Sequence, residues 1–313
     1  MRLSVDDPGP STGVMKVEIC EVGPRDGLQN DPVTLAPAVR AELCTRLARA
    51  GLRRIEAASF VHPRVVPQMA GAEEVFAALE PRAGVRYAAL VLNAQGFERA
   101  LGAGAGEIHV AYPVTDAFAQ RNQNMSVEAA ARGAEAIIAA AHANGLHATA
   151  TLSVAFGCPF SGAVDPGAVA AHAGRMGAAG ADEVVLADTI GAGVPRQIRR
   201  VVPTAREAAG GAPVGLHLHN TRNTGYANVL AGLEAGVRLF DASVGGLGGC
   251  PFAPRATGNI ATEDLLYLLA GEGLETGADI EAVIGVADWL ATTLGHELPG
   301  LVHRAGPFPT TTV

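Results

Sequence analysis

Val17-Glu18-Ile19-Cys20-Glu21-Val22-Gly23-Pro24-Arg25-Asp26-Gly27-Leu28-Gln29 is a short run rich in β-branched residues that breaks into a turn dense with charge. The run Val17–Val22 reads as a first strand. The turn after it decides between two architectures. A dinucleotide-binding sheet would place G-x-G-x-x-G at this first turn, and the turn here does not match. Ionisable residues gathered immediately after a strand are instead what the mouth of a closed βα barrel displays.

Outward from this stretch, short β-branched runs alternate with longer Ala/Leu-rich ones. Strands are predicted at Val17–Val22, Arg53–Ala57, Val85–Leu92, Glu107–Ala111, His147–Val154, Glu183–Ala187, Val214–His219 and Leu239–Ala242. Helices are predicted at Pro37–Ala50, Ala94–Ala103, Val127–Asn144, Pro166–Ala179, Pro195–Ala209, Tyr226–Ala235 and Thr262–Gly271. Gly51, Gly145, Gly180, Gly210 and Gly236 come just after five of these helices and suit the left-handed position beyond a helix end. Eight units repeating every roughly 31 residues predict an α/β fold, a (β/α)8 TIM barrel. A further helix around Ile280–Thr293 forms an additional C-terminal helical segment. No linker-like composition interrupts the chain, so residues 15–313 read as one domain, preceded by a flexible extension at 1–14.

Composition excludes several classes. The net charge of −8 and the single dense basic cluster, Arg196, Arg199 and Arg200, argue against a nucleic-acid partner. No apolar run reaches the length of a membrane span. The first 14 residues lack the apolar core of a secretory signal and the Arg-rich pattern of a transit peptide. Four cysteines, Cys20, Cys44, Cys158 and Cys250, with no CxxC pair, read as reduced thiols in the cytosol. Lys16 is the only lysine, and it precedes the first strand, at the wrong end of a barrel for an imine-forming site. Carbanion stabilisation through a Schiff base, and lysine-anchored pyridoxal phosphate, are thereby disfavoured.

The chemistry-bearing residues fall after the strands. His217 and His219 are two apart on a strand and face the same way. Alone, the pair is weak: about 0.26 such pairs are expected by chance among nine histidines in 313 residues. It fits either two metal ligands or two buried, hydrogen-bonded histidines. Asp26 and Asn259 add oxygen donors, and a mixed Asp, Asn and His set suits Mg²⁺ or Mn²⁺. Arg25 beside Asp26 fits a cation that stabilises a developing enolate, or a structural ion pair. Glu56 fits a general base, or a carboxylate that orients Arg25. Gly157-Cys158-Pro159-Phe160 echoes Gly249-Cys250-Pro251-Phe252, and spacing does not choose which thiol transfers protons. The remaining histidines have no partner spacing and read mostly as surface or supporting residues.

With these residues assembled, the sequence resembles the 3-hydroxy-3-methylglutaryl-CoA (HMG-CoA) lyase family of the DRE-TIM metallolyases, from about Val17 to Gly273. The resemblance is carried by Glu21 through Asn30, Ser59-Phe60-Val61, Val66-Pro67-Gln68-Met69, Gly157-Cys158-Pro159, Asp188-Thr189-Ile190-Gly191, Gly246-Leu247-Gly248-Gly249-Cys250-Pro251, Gly258-Asn259 and Thr262-Glu263-Asp264-Leu265. It implies a divalent metal held by Asp26, His217, His219 and Asn259. Arg25 would polarise the substrate carbonyl and Cys250 would transfer protons, with Asp188, Glu56 and Gln29 in support. It also implies an acyl-CoA substrate cleaved to acetyl-CoA and a β-ketoacid such as acetoacetate, and a homodimer. The chain departs from the family in three places. Asn220-Thr221-Arg222-Asn223-Thr224-Gly225 replaces Asp-Thr-Tyr-Gly, His62 replaces a common Ser, and Arg255 stands near a usual Gly. These bear on substrate more than on mechanism. Two rivals are a Claisen-condensing synthase of the isopropylmalate or homocitrate type and a barrel that binds without turnover. The first would carry a further C-terminal region, and the second has no use for so complete a set of reactive groups.

Overall fold

The computed structural model describes residues 15–249 and 258–308. The expected extension at 1–14, and Cys250 and Arg255, lie outside the described residues. Eight strands close into a barrel in sequence order: Glu18–Glu21 (β1), Arg54–Ser59 (β2), Arg86–Val91 (β3), Glu107–Pro113 (β4), His147–Ser153 (β5), Glu183–Asp188 (β6), Val214–Leu218 (β7) and Leu239–Ala242 (β8). All neighbours are parallel, and β1 seals the barrel by pairing Glu18 with Leu239 through Glu21 with Ala242. The predicted (β/α)8 architecture is therefore present, with strand ends within two residues of expectation.

The helices are set by local signals. Pro37, Pro166 and Pro195 open three of them at a position where a missing N–H costs nothing. Ser126 and Asp279 cap two others, and Asp165 the Pro166 helix, by accepting from backbone N–H groups. The five glycines expected after helices all have positive φ, between 66° and 97°. The predicted C-terminal helix spans Ile280–Leu294. It packs beside the first helix, Pro37–Arg49, where the Arg46 guanidinium lies 4.6 Å from the centroid of the Trp289 ring. Besides the one-turn Val302–Ala305, two described helices, Ala72–Ala78 and Asp116–Gln123, lie outside the predicted set. Each is about two turns long, too short to establish a period of 3.6 above the noise of composition.

The outer wall of the barrel packs against the helices through Ile55, Ala57, Ile108, Val110, Val184, Leu186, Leu216 and Phe240, all buried. The interior is polar. Arg54 and Glu56 on β2 bond to Glu107 and His109 on β4, which is not a neighbouring strand. Those contacts pass through the barrel rather than along its wall. Residues two apart on a strand share a face, so the interior carries one polar layer above another from the N-terminal floor to the C-terminal mouth.

Candidate active site

The turn after β1 aims the first two groups. The N–H groups of Arg25, Asp26 and Gly27 all donate to the Val22 carbonyl, at 3.1, 2.7 and 3.2 Å. This tight, widened helical turn presents Arg25 and Asp26 over the mouth, and such local widening often accompanies functional residues. Two glycines allow it to sit so low. A Cβ on Gly23 would lie 2.6 Å from Glu21 Oε1, and one on Gly27 would lie 2.7 Å from Ser243 Oγ. Glu21 is buried beneath the turn and ties it to the loop after β8, accepting from the N–H of Gly23 and Val244 and from the Thr262 hydroxyl.

Asn259 arrives from the far end of the chain. Residues 258–261 slot between the ends of β7 and β8: Ile260 N–H donates to Leu218 O, Ser243 N–H to Ile260 O, and Asn259 lies opposite His219. Gly248 and Gly258 permit this. Their φ values are +148° and +98°, and a Cβ on Gly258 would lie 2.7 Å from the Gly248 backbone. Only glycine accepts both the conformation and the approach.

The structure thus brings all four expected metal ligands together. His217 Nε2 and His219 Nε2 lie 3.0 Å apart, and each is 3.9 Å from Asp26 Oδ2. Asn259 Nδ2 donates to Asp26 Oδ2 at 2.8 Å and to Leu247 O at 3.0 Å. The Asn259 amide oxygen is buried with no partner. Two imidazole nitrogens and a carboxylate oxygen therefore face one another, with an unspent amide oxygen beside them. This donor set fits a divalent cation. Burial, then the charge of His217, pushes His219 down to about 3, so the ring is neutral, as a ligand must be. Burial opposes ionisation of Asp26, but the neighbouring Arg25 cation outweighs it and holds the carboxyl far below the usual range.

Arg25 sits at the side of the cluster. Its Nη1 donates to Asp26 Oδ1 at 2.6 Å and its Nε to Glu56. The second Glu56 oxygen lies 2.8 Å from His109 Nδ1, so both carboxylate oxygens are engaged. Asp188, at the end of β6, is fully buried and accepts from the N–H of Ala192 and Gly193, at 2.8 and 2.9 Å. Its carboxylate shapes the loop after β6 and makes no hydrogen bond to the four ligands. Gln29 comes just after the first turn, with its side-chain oxygen buried and without a partner. The Cys158 thiol is buried and accepts from the Thr115 hydroxyl at 3.2 Å. Its rival Cys250 lies outside the described residues.

Two buried residues escaped the sequence analysis. Asp241 on β8 lies 3.1 Å from His217 Nδ1, completing a carboxylate–histidine pair of the kind that fixes a ligand ring. His109, expected as a surface or supporting residue, is inside the barrel between Glu56 and Glu107. A signal existed for the second: Arg54-Ile55-Glu56 and Glu107-Ile108-His109 both place polar residues two apart within apolar strands.

Fold and site together define a (β/α)8 barrel with a candidate divalent-metal centre at its C-terminal mouth. The chain belongs to the HMGL-like family, whose model matches residues 16–290. It is 47% identical to the hydroxymethylglutaryl-CoA lyase of Pseudomonas mevalonii, over 89% of this chain and 93% of that one. It is 44% identical to the (R)-citramalyl-CoA lyase of Chloroflexus aurantiacus, over 93% and 95%. Among solved structures it superposes with a TM-score of 0.90 on an HMG-CoA lyase from Acinetobacter baumannii in complex with coenzyme A and 3-methylmalate, at 35% identity, covering 95% and 97%. The protein is a lyase. None of the described helices is long and apolar enough to cross a membrane.

Proposed function

We propose that this chain cleaves the C2–C3 bond of a branched 3-hydroxyacyl-CoA, either HMG-CoA or the shorter citramalyl-CoA, releasing acetyl-CoA and a keto acid. The observation that carries this is the convergence of His217, His219, Asp26 and Asn259 on one point beside a fixed guanidinium. Bond cleavage next to a thioester needs an electron sink for the enolate and a way to lower the acidity barrier of the C3 hydroxyl. A divalent ion, Mg²⁺ or Mn²⁺, would be held by those four side chains and would supply Lewis-acid polarisation of the hydroxyl and carbonyl oxygens.

The chain's own groups then divide the work. A base takes the C3 hydroxyl proton, C3 becomes a carbonyl, and the C2–C3 electron pair moves into the thioester as an enolate. Arg25 balances the charge that grows on the thioester oxygen. It stays cationic because burial is outweighed by Glu56 and Asp26. Glu56 has both oxygens occupied, which suits it to orienting Arg25 rather than to removing protons. Cys250 is assigned the proton transfer at C2, and Asp188 and Gln29 shape the pocket.

A cleft of about 340 Å³ beside Asn259 is lined by Tyr226 and Asp264 and by Asn220, Thr221, Arg222 and Asn223, the stretch where the chain departs from the usual family residues. Arg222 is fixed there by the carbonyls of Ile190 and Gly191. The acyl chain is read at this edge. The same reading carries a homodimer and a cytosolic setting for the thiols. The test is incubation with Mg²⁺ or Mn²⁺ and each thioester, with detection of acetoacetate from HMG-CoA or pyruvate from citramalyl-CoA. Turnover of one and not the other fixes the substrate. Turnover of neither, nor of a panel of longer 3-hydroxyacyl-CoAs, sinks the assignment.

A further inference from the structure

We propose that His109 is a positioning residue for Arg25: clamped as an imidazolium between Glu56 and Glu107, it holds the Glu56 carboxylate in one orientation, and Glu56 in turn fixes the guanidinium beside Asp26. The inference rests on Arg25 being the group that balances the enolate.

The geometry requires the charged ring. His109 is 4% exposed, its Nδ1 lies 2.8 Å from Glu56 Oε1, and its Nε2 lies 3.0 Å from Glu107 Oε1. Ionised carboxylates only accept, and a neutral imidazole has a single N–H. Only the doubly protonated ring meets both acceptors. Both of its direct partners are carboxylates, and the nearby arginines are paired with Glu107. Glu56 and Arg54 approach from β2, and Glu107 comes from β4 itself. Arg86 reaches Glu107 from β3 at 3.6 Å, and His147 approaches it from β5 at 3.8 Å. Glu183 on β6 bonds Arg54. From the mouth inward, the signs alternate: Arg25, Glu56, His109, Glu107, Arg54, Glu183. Burial works against the charge on His109, and the bonds to Glu107 and Glu56 outweigh it, pushing the ring up to about 9.

Loss of the ring's charge leaves Glu56 Oε1 without a donor in a buried site, so the carboxylate turns and Arg25 loses its fixed direction. A displacement of about 1 Å at a group that meets the transition state costs on the order of 100-fold in rate. Ground-state affinity depends on it far less.

The variant is His109→Gln, which keeps one donor and most of the volume; Glu107→Gln, which leaves the ring one carboxylate, serves if the first fails to fold. Nitrogen-15 NMR reads the ring directly, and the Nε–H resonance of Arg25 reads its fixation without turnover. The expected result is a doubly protonated His109 at about pH 7.5, and in His109→Gln a broadened Arg25 Nε–H. Alongside it, kcat falls about 10- to 100-fold with KM and Mn²⁺ affinity changed less than about three-fold. A neutral His109 in the wild type overturns the proposal, as does a variant with unchanged kcat and a sharp Arg25 signal. If the wild type cleaves no thioester, the assigned function fails, and the two NMR signals still decide the positioning role.

Discussion

The barrel holds two buried clusters of carboxylate, histidine and arginine, one at each end, and they do opposite things. At the N-terminal floor, Glu107, His147 and Glu183 have the spacing of a metal site. Arg54 occupies that space: it is 1% exposed, bonds Glu107 and Glu183, and donates to Thr149 Oγ1 at 2.7 Å. At the mouth, Arg25 is drawn aside by Glu56 and takes one oxygen of Asp26, Oδ1, leaving Asp26 Oδ2 turned toward His217 and His219. Similar residue types thus make a plug where the chain supplies the cation and a candidate metal centre where it does not. The location agrees with the general division of such barrels, where the floor serves stability and the mouth serves chemistry.

That contrast breaks most visibly by removing one member from each end. Asp26→Ala should abolish high-affinity Mn²⁺ binding and lower kcat/KM by more than about 10³-fold, with a stability loss smaller than that of a floor variant. Arg54→Met should do the reverse. It strands two buried carboxylates, so urea denaturation should show a loss of about 3–5 kcal/mol, while Mn²⁺ affinity of the folded protein stays within about three-fold. A floor variant that loses metal binding, or a mouth variant that unfolds the barrel, would erase the distinction.

A pH series sharpens the comparison at the layer joining the two ends. His109 has a folded-state pKa pushed up to about 9, above its ordinary 6.5. A raised histidine adds stability that is full below about pH 6.5 and is lost as pH rises through 9. The expected loss between those values is on the order of 3 kcal/mol at most. Glu21 and Glu263, pushed up to about 7 by burial, titrate lower, between about 4.5 and 7. Urea midpoints at about pH 6.5 and 9 should therefore differ in the wild type and differ by less in His109→Gln, where only the two carboxyls still titrate above pH 6.5. A flat profile in the wild type would mean that the ring carries no charge.

How much of this was legible in the sequence depends on how local each feature is. The strands were readable because Val214–Leu218 and its counterparts are apolar runs bounded by turn residues, and the candidate metal ligands because His217 and His219 repeat at the strand period. The helices Ala72–Ala78 and Asp116–Gln123 were too short to show their period. Asp241 and His109 were missed for a different reason. Their partners are set by pairing across strands, which is absent from the order of residues. His217 lies opposite Asp241 only through the β7–β8 register, and His109 meets Glu56 only because closure of the sheet carries β2 and β4 to the same interior. A strand showing polar residues two apart reveals an inward polar face; it does not reveal what stands across from it.

Asp241 gives the smallest effect and the finest test of the mouth. It is not in the metal-facing set, and it touches His217 through the nitrogen turned away from His219. By accepting the Nδ1 proton it fixes the tautomer that leaves Nε2 free, and it adds electron density to the ring. Asp241→Asn keeps the shape and removes the charge. The amide can still offer an oxygen to Nδ1–H, so the ring keeps its place with weaker basicity. Divalent-metal affinity should fall about 10- to 100-fold, well short of the loss in Asp26→Ala, and excess Mn²⁺ should restore much of the turnover. The floor offers no counterpart: His147 approaches Glu107 and Glu183 only to 3.8 Å, and its Nε2 makes no hydrogen bond. If Asp241→Asn left metal affinity untouched, His217 would be held by packing alone, and the buried carboxylate behind it would belong with the structural charges of the floor.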